Sequence, residues 1–479
     1  MSATRKPQLD RSDIQGNLLR GYRAANARHF ALWIGQPSSP AEFINGLVSG
    51  DEELSPQIST DEHWTERPDY WLNIGLTWAG LKALGVPAGV LGDFPQAFQE
   101  GPAQRAGQPD PDYPNSVGLG DVGNSDPKNW ILGGETNPTV HMLLSLYTDE
   151  HRVSRLDAVS VRLRNRFAAT GLHEIWTKDA NALPHGGVHF GYRDGIAQPE
   201  IEGANSRDRP DMQPKASPGD FLLGCDYVNV FDGNYLGNLL PALGNNGTYG
   251  AFRVLRQDVE RFEQLLTEWA EQTGLDRELL AAKLLGRWRG GVPLTLSPYS
   301  DQAYPPIRER RLNEFDYAAS DEHPACCDDE RGLRCPIGAH IRRLNPRSAL
   351  VTGLPHGRRL IRRGMAYGPP FDAEHPDAEE RGLMGLFICG DLELQYEFIL
   401  RVWANEDLAT HGVRGTRDPL IGHQPDDGGQ FVVRTEDGRD PIVLTGLPTL
   451  VRTTGSLYCF IPGIGGLRYL ASLPAGAAA

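Results

Sequence analysis

Apolar residues recur along this chain with two spacings, and the two alternate irregularly. Residues 29–34, His-Phe-Ala-Leu-Trp-Ile, form an apolar run after a polar lead from Asp13, which predicts a strand. Residues 140–147, 249–255 and 383–389 predict strands for the same reason, the last a compact buried one. Helical spacing is clearest over 258–273, where Phe262, Leu265, Leu266 and Trp269 share a face and Gly274 ends the run. Residues 277–285, 149–170 and 393–403 also read as helical. Over 73–85 a strand or turn passes into a short helix with Leu76, Leu81 and Leu84 on one face, stopped by Gly85-Val86-Pro87.

Between these elements lie polar stretches. Residues 99–130 and 300–335 are rich in loop-forming residues and predict surface insertions. Residues 203–220, with Pro210, Pro214 and Pro218, mark the best internal boundary. No fixed repeat of 20–50 residues appears. Strands and helices mix in both halves without regular βαβ alternation, so an α+β fold is expected rather than a doubly wound sheet.

Composition narrows the function classes. The 479 residues carry a formal net charge of −15, which disfavours nucleic acid and anionic membrane surfaces as partners. No stretch of 18 apolar residues suggests a membrane span. The polar start at 1–7 has no apolar leader core, and six cysteines do not make a disulfide framework; cytoplasm is the expected compartment.

Three segments carry candidate chemistry. Asp194 sits between Gly191 and Gly195, a loop whose backbone can turn tightly and approach a flat ligand, although Asp-Gly is also ordinary turn chemistry. His340 is followed by Arg342, Arg343 and Arg347, cations that suit the carboxylates of a haem. Arg362 and Arg363 precede Gly364; on a helix or a strand, at most one of them faces a given pocket. Cys326, Cys327, Cys335 and His340 lie close in sequence, but their spacing matches no common zinc pattern. His185 and His189 are four apart, yet two intervening glycines disfavour the helix such a pair would need.

Taken in order, these segments resemble the dye-decolorizing peroxidase family. Gly191-Tyr192-Arg193-Asp194-Gly195 matches its GxxDG motif. Ala339-His340-Ile341-Arg342-Arg343 with Asn345-Pro346-Arg347 matches its haem-ligand segment, and Arg362-Arg363-Gly364 its distal arginine segment. Residues 13–22, 281–288, 395–399 and 455–462 are also similar to family segments, so the resemblance spans roughly residues 12–472.

The resemblance implies two ferredoxin-like halves of the dimeric α/β-barrel type, antiparallel sheets with packed helices and haem b between them. The expected organisation is a disordered start at 1–11, an N-terminal half at 12–215 with the GxxDG loop, a C-terminal half at 216–472 with His340, and a tail at 473–479. It implies a haem peroxidase that reduces hydrogen peroxide and oxidises dyes, phenols and similar one-electron donors through a ferryl intermediate. His340 would bind the iron, and Arg342 and Arg347 would meet the propionates. A buried acid on 387–397, Glu393 first and Asp391 second, would accept the other ring N–H of His340. Asp194 would act as acid–base catalyst and Arg362 would stabilise developing charge. The partners implied are hydrogen peroxide and small-molecule reductants, with room left for a homo-oligomer. A haem-handling protein would use His340 without Asp194, a non-catalytic zinc-dependent scaffold would carry no haem, and a chlorite dismutase shares the general fold but not the Asp194 and Arg362 motifs.

Overall fold

The computed structural model describes residues 9–49, 55–105, 118–149, 153–204, 213–225, 239–303, 306–318, 329–348, 356–408, 413–435 and 439–474. Cys326 and Cys327, most of the expected 1–11 start and 473–479 tail, and parts of all three polar stretches fall outside the described residues.

The strands in chain order are β1 (Asn26–Ile34), β2 (Trp71–Leu76), β3 (Met142–Thr148), β4 (Leu172–Asn181), β5 (Thr248–Gln257), β6 (Ile361–Tyr367), β7 (Gly382–Cys389), β8 (Gly429–Val433), β9 (Ile442–Leu447) and β10 (Val451–Ile461). The helices are α1 (Pro40–Ser49), α2 (Trp78–Ala83), α3 (Ala88–Gly92), α4 (Gln96–Arg105), α5 (Val153–Thr170), α6 (Pro241–Gly244), α7 (Val259–Thr273), α8 (Arg277–Leu285), α9 (His340–Leu344) and α10 (Ile464–Ala471).

Eight strands form one antiparallel sheet in the order β4-β1-β3-β2-β10-β5-β7-β6, and β8 and β9 pair separately. The order repeats itself. Counting only the strands of this sheet within each half, both β4-β1-β3-β2 and β10-β5-β7-β6 run fourth, first, third, second, which is the ferredoxin-like arrangement. The halves join through β2 and β10, paired at Phe460 and Leu76. The two outer strands also approach each other, with Lys178 of β4 4.0 Å from the ring centroid of Tyr367 on β6. The sheet therefore curls toward closure, the α+β architecture expected from the sequence.

Strand alternation separates two cores. On β1, Phe30, Leu32 and Ile34 pack outward with Phe43 of α1 and Phe167 of α5, the Phe30 and Phe43 rings 5.8 and 5.6 Å from Phe167. Each such buried side chain contributes roughly 1.5–3 kcal/mol. Ala27, His29 and Ala31 point into the curl of the sheet, where Tyr22 stacks on Trp71 at 5.0 Å and His29 lies 5.0 Å from Phe252.

The clearest helical pattern forms as expected. Asp258 caps α7 by accepting from Arg261 N–H at 3.2 Å, Phe262, Leu265, Leu266 and Trp269 are buried, and Gly274 ends it at φ 71°. Two expectations change. Residues 393–403 wind as two π-helical stretches, Leu392–Glu397 and Ile399–Ala404. The described end of the 99–130 stretch is not a surface loop: Leu119, Asp121 and Trp130 are buried, because Asp121 pairs with Arg253 of β5 and Trp130 donates to Ser125 O. Among the described residues, no helix is long and apolar enough to cross a membrane.

Candidate active site

A cavity of about 340 Å³ lies on the outer face of the second half of the sheet, where the first half is filled by α1 and α5. Its floor comes from Arg253 and Leu255 of β5, Arg362 and Gly364 of β6, and Leu383, Gly385 and Phe387 of β7. Alternation puts these residues on one face, while Val254, Met384, Leu386 and Ile388 face the interior of the curl. Gly364 and Gly385 carry no side chain into the space. Residues of α9 and the turn at 418–423 close over it, including His340, Ile341, Leu344, Leu420 and Ile421.

His340 opens α9 and is held by a carboxylate from elsewhere in the chain. Its Nδ1 lies 3.0 Å from both carboxylate oxygens of Asp418. The Asp418 side chain is 0% exposed, and its Oδ1 also accepts from the N–H groups of Leu420 and Ile421 at 2.9 Å each. Burial raises the Asp418 carboxyl, but His340, the Ile421 N–H and Arg343 together outweigh it and hold the group below the usual carboxylate range. A buried carboxylate accepting from Nδ1–H keeps the proton on that nitrogen and leaves the lone pair of Nε2 for a metal.

The expected partner was Glu393 or Asp391, and this is corrected by the geometry. Glu393 is exposed, and Asp391 is engaged as the cap of the π-helical stretch, accepting from Leu394 N–H at 2.8 Å. The buried acid of that segment is Glu397, which accepts from Tyr458 Oη at 2.9 Å. Asp418 was missed because its position beside His340 depends on the tertiary path of a segment 78 residues on. The local signal was an acid before Pro419-Leu420-Ile421, where it can satisfy following N–H groups.

Arg342 is also corrected. It is fully buried, donates to Cys335 O and Glu330 O at 2.8 and 3.1 Å, and lies over the Tyr317 ring at 4.3 Å, so it does not line the cavity. Helical spacing explains this: positions 340, 341 and 344 face the cavity, and 342 and 343 face the protein. Arg347 does line it, with its guanidinium on Asn313 and over the Phe315 ring at 3.7 Å. Arg359 lines it too. This residue was not singled out from the sequence, and its Nε is buried without a hydrogen-bond partner.

Asp194 and Arg362 meet in the same cavity. The Asp194 loop turns through left-handed glycines, Gly191 at φ 80° and Gly195 at φ 77°. Asp194 N–H donates to Gly186 O at 2.9 Å, and its Oδ1 accepts from Gly195 N–H at 2.6 Å. Arg362 stands on β6, the last strand in the sheet order, and among the described residues no further strand pairs with its outer backbone groups. Gln198 takes that role, exchanging hydrogen bonds with Arg362 N and O at 3.1 Å each, and Arg362 Nη2 donates to Ala197 O at 2.6 Å. The loop and the strand are thus tied together. Arg363 points to the other face, donating to Asn17 O and Leu18 O, as alternation requires.

The residues fit a haem. An imidazole backed by a buried carboxylate provides a soft nitrogen donor, the walls are largely apolar, two strand glycines leave a flat space, and the buried Arg359 Nε is suited to a carboxylate. Among the described residues, no cluster of three or more His, Cys, Asp or Glu could hold a metal ion on its own.

No family model matches the chain. Peroxidase 2 of Mycetinis scorodonius is 28% identical over 481 residues, covering 96% of this chain and 87% of that protein. The multifunctional dye peroxidase DyP2 of an Amycolatopsis species is 27% identical over 508 residues, covering 98% and 97%. The solved structure of a decolorizing peroxidase from Auricularia auricula-judae shares the fold at a TM-score of 0.76 and 24% identity, covering 97% of this chain and 100% of that one. The chain is thus similar, over nearly its whole length, to dye-decolorizing peroxidases of fungi and of a bacterium, and it shares their fold.

Proposed function

We propose that this protein is a haem b peroxidase that reduces hydrogen peroxide and oxidises dyes, phenols and similar one-electron donors. The observation that carries the reading is the convergence of Asp194 and Arg362 on the cavity that also holds the His340–Asp418 pair. His340 would hold the iron, with Asp418 fixing its tautomer and raising its basicity. Arg347 and Arg359 would meet the propionates. Bound haem would supply the iron at which the O–O bond breaks and the store for two oxidising equivalents.

The chain's own residues handle the proton and the charge. Asp194 accepts the proton from one oxygen of hydrogen peroxide and delivers it to the other, which leaves as water. Arg362 places a guanidinium where negative charge grows on the departing oxygen. The Gln198 bonds keep that arginine registered with the Asp194 loop.

The division into halves at 12–215 and 216–472 belongs to the same reading and is supported by the repeated strand order. A cytoplasmic setting fits the sparse cysteines, of which Cys335, Cys389 and Cys459 are buried thiols.

The test is the visible spectrum of the purified protein before and after one equivalent of hydrogen peroxide. A Soret band that shifts with peroxide and recovers with a phenol or dye supports the reading. A band that binds haem yet never responds points to haem handling, and no band after reconstitution removes His340 as ligand.

A further inference from the structure

We infer that Arg289 is a positioning residue for Asp194, clamping the catalytic loop to the helices behind it; the inference rests on the proposed role of Asp194. Arg289 follows α8 and does not line the cavity. Its side chain nevertheless reaches the loop, with Nη1 donating to Phe190 O at 2.5 Å. Its backbone does so as well, since Arg289 O accepts from Arg193 N–H at 2.9 Å, directly before Asp194. The same residue therefore holds the loop on both sides of Gly191-Tyr192.

Gly191 shows how close this fit is. A Cβ placed there would clash with Arg289 Nη1, so the glycine supplies both the left-handed turn and the space for the guanidinium. The other edge of the guanidinium is anchored. Nε donates to Glu278 of α8 at 2.8 Å and Nη2 to Glu263 of α7 at 3.2 Å. Arg277 pairs with the same two acids, which restrains them in turn. The guanidinium also lies 5.4 Å from the Tyr192 ring centroid and 5.6 Å from that of Phe262.

This arrangement needs a planar fork. One guanidinium spans a carbonyl on the loop and carboxylates on two helices, whereas an ammonium is a single point and cannot face all three. The clamp therefore ties the loop to α7 and α8, beside the bond from Tyr192 Oη to Ala281 O of α8 at 2.7 Å. A misplacement of about 1 Å in a reacting group can cost about 100-fold in rate, which makes the position of the Asp194 carboxylate worth fixing.

The experiment compares the haem-loaded wild type with Arg289→Gln, Arg289→Lys, Glu278→Gln and Asp194→Asn. Two quantities are read: the second-order rate constant with hydrogen peroxide across pH, and amide hydrogen exchange of the 186–196 segment. For Arg289→Gln the rate constant should fall about 10- to 100-fold, its pH profile should shift, and the segment should exchange faster, with the KM for the reducing dye unchanged. Arg289→Lys should recover part of the rate, and Glu278→Gln should shift rate and exchange in the same direction by less. A haem-loaded Arg289→Gln protein with wild-type pH profile and loop exchange overturns the inference. If Arg289→Gln fails to fold, Glu278→Gln decides instead, and wild-type values there overturn it. An Asp194→Asn protein that keeps the wild-type rate sinks the peroxidase reading itself. Loss in Asp194→Asn without change at Arg289 sinks the clamp alone.

Discussion

The two halves of the sheet share one strand order and differ in what lies on their outer faces. In the first half, Phe30, Leu32 and Leu144 meet Phe43, Leu163 and Phe167, and the space is filled. In the second, the corresponding face carries Arg253, Arg362, Gly364 and Gly385, and a cavity remains between sheet and covering segments. Topology made the two platforms alike; side-chain choice made one a core and the other a site. The same contrast separates two histidines. His29 is sealed inside the curl with Nδ1 2.9 Å from Ser145 Oγ, whereas His340 has a buried carboxylate on one nitrogen and lines open space.

The sharpest way to break the contrast is to remove Asp194, the proposed acid–base group, from the open face. Asp194→Asn should lower the rate constant with hydrogen peroxide by about 100- to 10,000-fold, measured by stopped flow, while the Soret band and thermal stability stay near wild type. Next, Arg362→Gln should cost roughly 100- to 1,000-fold, again without loss of haem; an unchanged rate would remove the arginine from the charge-stabilising role. Asp418→Asn should be milder on rate, about 10- to 100-fold in haem affinity or activity, and should raise the haem reduction potential, read by spectroelectrochemistry. A reduction potential equal to wild type would mean that the carboxylate does not reach the iron through His340.

How much of this could be read from the sequence follows from how local each determinant is. Helices α7 and α8 were legible because cap, apolar face and terminating glycine all lie within one short stretch. That Asp194, His340 and Arg362 belong together was legible because each stands in its own motif, and all three line one cavity. Asp418 was not, since nothing near it in sequence reveals which histidine it will meet. Arg342 was misplaced because a charge pattern beside a ligand says nothing about helical phase, and the short helix turned it onto Cys335 O and Tyr317. The loop-rich stretch around Asp121 looked like surface, yet Arg253 draws that acid inward as a bidentate pair at 2.8 and 2.5 Å. Composition cannot foresee a buried pair whose partner is 132 residues away.

The smallest expected effect concerns the sealed histidine. Burial holds the His29 imidazole down to about 4, from an ordinary value of 6.5, and Asp179 opposes this only in part. The folded state therefore binds fewer protons at this site than the unfolded chain. Its contribution is complete above the unfolded value and is lost as pH falls from about 6.5 toward 4. Between roughly pH 7 and pH 5.5 the loss amounts to about 1 kcal/mol. Denaturant titrations of wild type and His29→Gln should show it: the wild type should lose that much more stability than the variant over the interval, while both retain the same haem spectrum at neutral pH. Equal slopes would mean that His29 is protonated as readily in the fold as outside it, and that the inside of the curl is not the sealed environment its packing describes.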